Sequence, residues 1–153
     1  YLSILEKAFL IKLIQPFFTN KRSEIVKNPK LYFIDIGLRN ILINDFKAIE
    51  NRTDKGAIFE NFIFSELINR ELEIKYYRTK SQAEIDFIVN DKITVEVKSL
   101  ITQPNISKSL RAYIEKYKPE YSYILNRSYH DDITLEQTKV RFRPHFFVKL
   151  INT

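Results

Sequence analysis

Two acids and a base share one short stretch: Asp86, Glu96 and Lys98 all lie within EIDFIVNDKITVEVK, residues 84–98. Ile85, Phe87 and Val89 recur at every second position on its first run, and Ile93, Val95 and Val97 on its second. That period marks half-buried strands. Residues directly opposite in an antiparallel pair point to the same face. The two apolar sets share a face only if Val89 opposes Ile93, which leaves Asn90, Asp91 and Lys92 as a three-residue hairpin loop. A two-residue loop would slip the register and set apolar against polar. In the expected register Phe87 faces Val95 and Asp86 faces Glu96, with Cβ atoms roughly 4.5–5.5 Å apart. Like charges so placed are destabilising unless one carboxyl stays protonated or a cation neutralises the pair. Lys98 and Glu84 project from the same face.

Two readings fit this cluster. One is a solvated sheet face carrying a Glu84–Lys98 cross-strand pair. The other is a metal site, because hard divalent ions take oxygen ligands and often use only one or two carboxylates with water and phosphate. A neighbouring lysine could then orient or activate a water that attacks a phosphodiester.

The elements that must position these groups are set by periodicity. Residues 56–72 make the strongest helix. Ile58, Phe59, Phe62, Ile63, Phe64, Leu67 and Ile68 cover most of its wheel, and Asn61, Ser65 and Asn69 form a narrow polar stripe. A helix apolar nearly all round is buried. Glu60 and Glu66 lie off the polar stripe. A buried carboxylate must be paired, here by Arg78, Lys80 or another base, or must coordinate a cation. Residues 74–79 read as a strand before the hairpin. Asn105 or Ser107 caps a helix to about Tyr117, with Leu110, Tyr113, Ile114 and Tyr117 on one side. Residues 121–125 form a strand, 126–137 a polar loop and 140–142 a last strand. Upstream, residues 1–8 have helical spacing, 9–18 read as a strand broken by Pro16, and 19–30 as a basic loop. Residues 31–34 are a strand, and Asp35 caps a helix through Ile43 with Ile36, Leu38, Ile41 and Leu42 as core candidates. Helix, strand, basic loop and strand together resemble the end of a winged helix, which would put Lys21, Arg22 and Lys27 on a wing near DNA; a solvated loop is the alternative.

Composition narrows the function. With 153 residues and 44% hydrophobic content, the chain suits one domain with a small appendage. The core is aromatic-rich, with 12 Phe and 9 Tyr. Two glycines exclude a P-loop and a dinucleotide fingerprint. The absence of cysteine excludes disulfides and thiolate metal sites and suits a reducing, cytoplasmic setting. His130 and His145 lack ligand-like spacing and read as surface or packing residues. No apolar run reaches membrane-spanning length. A net charge of +6 favours anionic partners. The chain begins at Tyr1 and holds no Met, so we expect a piece of a longer protein.

From residue 56 the order is helix, three strands, helix, strand. An acid on the first helix, Glu60, an acid on the second strand, Asp86, and Glu96-Val97-Lys98 on the third resemble the PD-(D/E)XK nuclease fold. The phrases LYFIDIGLRN, GAIFENFIFSEL, YYRTKSQAEIDFIV and VEVKS resemble a prokaryotic domain family, archaeal and bacterial, that typically follows an AAA-type ATPase module and a winged helix. The resemblance implies an α/β restriction endonuclease-like core, an α-β-β-β-α-β mixed sheet flanked by helices, over residues 51–153. Residues 1–50 would be a partial winged-helix-like extension. It implies Asp86, Glu96 and the carbonyl of Val97 as ligands of Mg²⁺ or Mn²⁺, Lys98 as the water-orienting base, and Glu60 as a ligand or hydrogen-bond partner. Ile85 stands where the nuclease signature often has proline. Glu66 and Arg78 match the narrower family's phrasing. The expected function is a metal-dependent nuclease-like hydrolase domain acting on DNA, with ATP used only by the ATPase module. The alternatives are a catalytically inactive DNA- or protein-binding module accessory to that ATPase, and a structural domain that assembles its subunits.

Overall fold

The computed structural model describes residues 1–17, 28–79 and 81–151. The wing residues Lys21, Arg22 and Lys27, and the candidate ion-pair partner Lys80, lie outside these. β4 (Glu84–Val89) and β5 (Ile93–Val97) form the expected hairpin, with Val89 paired to Ile93 and Phe87 to Val95. Asn90 and Asp91 turn the loop with φ of 48° and 58°, a left-handed conformation that these two residue types tolerate. The Lys92 N–H closes it on the Val89 carbonyl at 3.0 Å.

β3 (Ile74–Arg78) pairs with the other edge of β4 and introduces an irregularity. Lys75 pairs with Ile88 and Tyr77 with Ile85, so Tyr76 alone stands opposite Asp86 and Phe87. This β-bulge breaks the alternation. Phe87 and Val89 join one core cluster with Ile63, Phe64 and Leu67, whereas Ile85 and Ile88 join a second with Leu110, Tyr113 and Ile114. The expected common face of Ile85, Phe87 and Val89 therefore fails at Ile85. A period-2 pattern assumes an uninterrupted pleat, and one inserted residue bends the strand and re-aims the side chains on either side of it.

α3 (Lys55–Ile68) covers the first face of the sheet and α4 (Lys108–Tyr117) the second. α4 begins at Ser107, whose hydroxyl accepts the Leu110 N–H at 3.1 Å, satisfying an otherwise orphaned helix donor. It is the crossover between β5 and β6 (Tyr121–Asn126), which pair in parallel and so cannot be joined by a tight turn. β8 (Thr138–Pro144) pairs in parallel with β6, and β7 (Asp131–Leu135) in antiparallel with β8. The result is a six-stranded mixed sheet in the order β3-β4-β5-β6-β8-β7, flanked by helices. β7 falls where a polar loop was expected. It is an edge strand, and charged residues such as Asp131 and Asp132 suit an edge because they discourage further pairing. Among the described residues no helix is long and apolar enough to cross a membrane.

The N-terminal part begins with α1 (Leu2–Lys7), and an antiparallel hairpin of β1 (Ile11–Ile14) and β2 (Lys30–Phe33) comes next. Its chain docks on the sheet edge at the bulge: the Tyr76 N–H donates to the Gln15 carbonyl at 3.1 Å and the Phe17 N–H to the Tyr76 carbonyl at 2.6 Å. Ile14 and Tyr32 enter the α3-side core, where the Tyr32 and Phe64 rings stack 4.5 Å apart. α2 (Ile36–Ile43) starts at Asp35, which accepts the Leu38 N–H at 2.7 Å as expected. Its expected core residues are not buried, and Ile41 and Leu42 are 61% and 64% exposed. α2 packs on β2 and α3; a helical wheel shows which residues share a face but not whether anything covers it.

Asn61 also departs from expectation. The wheel puts it on the polar stripe, yet it is buried, accepting the Phe33 N–H at 2.9 Å and donating to the Phe33 carbonyl at 2.7 Å. Its amide acts as one more strand residue beside β2. Asn61→Leu should strand both Phe33 groups and cost about 1–3 kcal/mol in urea unfolding; a loss below about 0.5 kcal/mol would contradict this role.

Candidate functional site

The β4–β5 ladder runs no further than Phe87–Val95. The next link is made by a side chain: Asp86 Oδ2 accepts the Val97 N–H at 2.7 Å. The expected head-on pairing of Asp86 with Glu96 is thus replaced by a carboxylate reaching across to the backbone of β5. The bulge at Asp86–Phe87 is what re-aims it.

Glu96 is buried, only 4% exposed. Lys98 Nζ lies 2.9 Å from its Oε1, and Ser107 donates to its Oε2 at 3.0 Å. The same serine caps α4, so the start of that helix and the Glu96 side chain hold each other. Glu60 comes from α3, where Lys30 Nζ lies 3.2 Å from its Oε1 and the Tyr32 hydroxyl donates to the same oxygen. Lys30 also pairs with Glu84, which in turn meets Arg78 Nε at 3.1 Å. The Glu84–Lys98 pair of the solvated-face reading does not form, because each side chain is engaged elsewhere. Glu66 meets Lys149 at 3.8 Å, which gives it an ion pair away from these contacts. His145 packs edge-on against Phe59 and Phe62, and His130 against Phe147.

Glu60, Asp86, Glu96 and Lys98 are candidates from the sequence; Lys30 and Tyr32, which the structure adds around Glu60, are not. Their signal was present as a lysine and a tyrosine two apart on one strand, which a strand directs to one face. Nothing local to β2 shows that this face meets Glu60, since the contact spans 28 to 30 residues.

The electrostatics are governed by burial and crowding. Burial, and then the charge of Glu60, push the Asp86 carboxyl up to about 7; the Val97 N–H and Lys30 work against this, and Glu96 adds to it. Asp86 makes no ion pair among the described residues. Burial alone would lower the Lys30 ammonium, but Glu60, Glu84 and Asp86 together hold it above the ordinary lysine value. Lys98 is likewise raised, burial being outweighed by Glu96 with Asp86 and Glu60. Burial and Glu60 push the Tyr32 phenol up, so it stays protonated and donates.

A divalent cation would find only part of its shell in protein groups. Among the described residues no three His, Cys, Asp or Glu side chains are arranged to hold a metal, so a cage of protein ligands is not present. Two hard carboxylates are: Asp86, with a raised proton affinity and no ion pair among the described residues, and buried Glu96. One or two carboxylates completed by water and phosphate is the manner in which Mg²⁺ is commonly bound, so the residues fit that class of ion.

Fold and site together define a mixed α/β domain that gathers acids at the open end of a β-hairpin. The chain belongs to the family described as "Domain of unknown function (DUF4143)", whose model matches residues 55–142, and with them Glu60, Asp86, Glu96 and Lys98. Residues 1–49 match a second model, "Domain of unknown function (DUF8612)". An uncharacterized protein of Mycobacterium bovis and one of Mycobacterium tuberculosis are each 32% identical over 119 residues, covering 73% of this chain and 27% of theirs. The chain thus spans about a quarter of the length of these relatives. No solved structure matches it significantly.

Asp86 holds its proton more tightly folded than unfolded, so its own contribution to stability is fully present below the ordinary value of 3.8 and is lost as pH rises through about 7. Asp86→Asn keeps an acceptor for the Val97 N–H and removes the charge. It should raise the urea midpoint at about pH 8 and leave it unchanged at about pH 3.5; a lowered midpoint at the higher pH would contradict the assignment.

Proposed function

We propose that this domain is a metal-dependent phosphodiesterase of the PD-(D/E)XK nuclease kind, acting on DNA and positioned by an ATPase module of the full-length protein. One observation carries the reading: Asp86, lacking an ion-pair partner among the described residues, is linked through its bond to the Val97 N–H to buried Glu96, which is itself bonded to Lys98. The chain order α3-β3-β4-β5-α4-β6 supports it, being the order that the nuclease resemblance implies. The net charge of +6 supports an anionic partner.

In this reading Asp86 and Glu96, with the Val97 carbonyl as a third donor, would hold Mg²⁺ or Mn²⁺. When bound, such an ion supplies Lewis-acid stabilisation of phosphoryl oxygens and a more acidic water. The protein's own groups do the rest. Lys98, fixed by Glu96, orients the attacking water and offsets the charge that develops on the phosphate. Glu60 raises the proton affinity of Asp86, and Lys30 limits that rise. Tyr32 holds the Glu60 carboxylate in place.

A second reading, a non-catalytic DNA- or protein-binding module accessory to the ATPase, is favoured by one feature. Lys30 bridges Glu60 and Glu84, an internal counter-ion that lets these acids persist without a metal.

Calorimetric titration of Mn²⁺ into the wild type and Asp86→Asn, followed by both on a panel of duplex, branched and single-stranded DNA, tests the proposal. Binding and cleavage by the wild type, both lost in the variant, are expected. Full cleavage by Asp86→Asn would refute the site. Salt-sensitive DNA binding, equal in both proteins and without cleavage in either metal, would establish the second reading instead.

A further inference from the structure

A cleft of about 560 Å³ is lined by residues of α3 and of the segment that follows Lys98, and by none of the clustered acids. Its size is that of a small-ligand site. One wall is aromatic: Phe59 and Phe62 of α3 stand edge-on to His145, with ring centroids 5.8 and 5.7 Å apart. Leu100, 77% exposed, contributes to the lining. The His145 Nδ1 in this wall is buried and has no hydrogen-bond partner among the described residues, and such atoms ask for an explanation in a native structure. Lys55 and Arg127 line the same cleft with one acid, Glu50. Arg127 meets Glu50 at 3.5 Å with both side chains about 60% exposed, a weak solvent-screened pair that a phosphate can replace with bidentate bonds.

Two of the segments that build the acid cluster also line the cleft. Ser99 and Leu100 line it and directly follow Lys98; Phe59 directly precedes Glu60. At about 3.8 Å per residue at most, Leu100 Cα lies within about 7.6 Å of Lys98 Cα. That is the scale of one or two nucleotides, about 3.4 Å each along a stacked strand.

Resting on the nuclease-like reading above, we propose that this cleft is a nucleobase subsite. It takes one unstacked base of a single-stranded substrate against the Phe59–Phe62–His145 wall, with the attached phosphate at Arg127 and Lys55. The adjoining phosphodiester then lies at Asp86, Glu96 and Lys98. Aromatic stacking accepts any base because every base has a π-face. A base within a duplex reaches such a pocket only by leaving the stack, so the subsite makes single strands, or strands opened by an ATPase, the substrate class.

The test compares two labelled single strands of about twelve nucleotides, oligothymidine and an abasic strand of equal charge, by fluorescence anisotropy in chelator so that nothing is cleaved. The wild type should bind oligothymidine at least about fivefold tighter, the lower end of what one base–aromatic stack contributes. Leu100→Glu, an exposed change that spares the core, should abolish that difference while leaving Mn²⁺ binding intact, and Arg127→Ala should weaken both strands. Equal affinity for the two strands in the wild type, or a difference that survives Leu100→Glu, would overturn the subsite. Mn²⁺ titration separates the two claims: binding of Mn²⁺ without base preference refutes the subsite alone, and base preference without Mn²⁺ binding supports the subsite while refuting the metal centre.

Discussion

Glu60, Glu84, Asp86 and Glu96 come together where the β4–β5 ladder ends, and much of the surrounding structure serves to keep those charges folded. Two like charges about 4 Å apart repel by about 4 kcal/mol at an effective dielectric near 20, comparable to the whole stability of a small domain. Each acid but one has its answer. Lys98 and Ser107 hold Glu96; Lys30 and Tyr32 hold Glu60; Lys30 and Arg78 hold Glu84. Asp86 has a backbone N–H but no ion pair among the described residues, and a proton affinity raised toward neutrality. A carboxylate buried with no ion pair among the described residues costs stability whenever it is charged.

The N-terminal hairpin acquires its meaning from the same constraint. Lys30 and Tyr32 reach the acids from β2, while the chain after β1 ties itself to Tyr76, the residue opposite the bulge. The bulge that turns Asp86 toward β5 is therefore tied to one strand of the hairpin whose other strand supplies the neutralising lysine. Distortion of the sheet, docking of the hairpin and charge balance are one arrangement, and loosening any part of it exposes Asp86 to more of the repulsion from Glu60.

Much of this was legible beforehand. Alternation of Phe87 with Val89 and of Ile93 with Val95 set the hairpin register, and Asp35 and Ser107 marked two helix starts, because these signals are local. The failures are all non-local. Ile85 changes face because β3 offers one residue against two, which no pattern within β4 reveals. Asn61 looks like a surface residue until the unpaired backbone of Phe33 lies beside it. Ile41 and Leu42 look like core until it is known what α2 packs on. Lys30 and Tyr32 look like an ordinary strand until folding carries them to Glu60. That β4 and β5 each carry acids could be found from the alternation along them; the counter-ions, drawn from a distant hairpin, could not.

The most direct test of the metal centre is crystallographic. Crystals soaked in Mn²⁺ at a pH of about 8, where Asp86 is ionised, should show one anomalous scattering peak at ligand distance from both Asp86 and Glu96, with Lys30 still on Glu60 and Glu84. A peak elsewhere, or none with the Asp86–Val97 contact intact at saturating Mn²⁺, would contradict the account and leave the acids as a cluster neutralised by lysine alone.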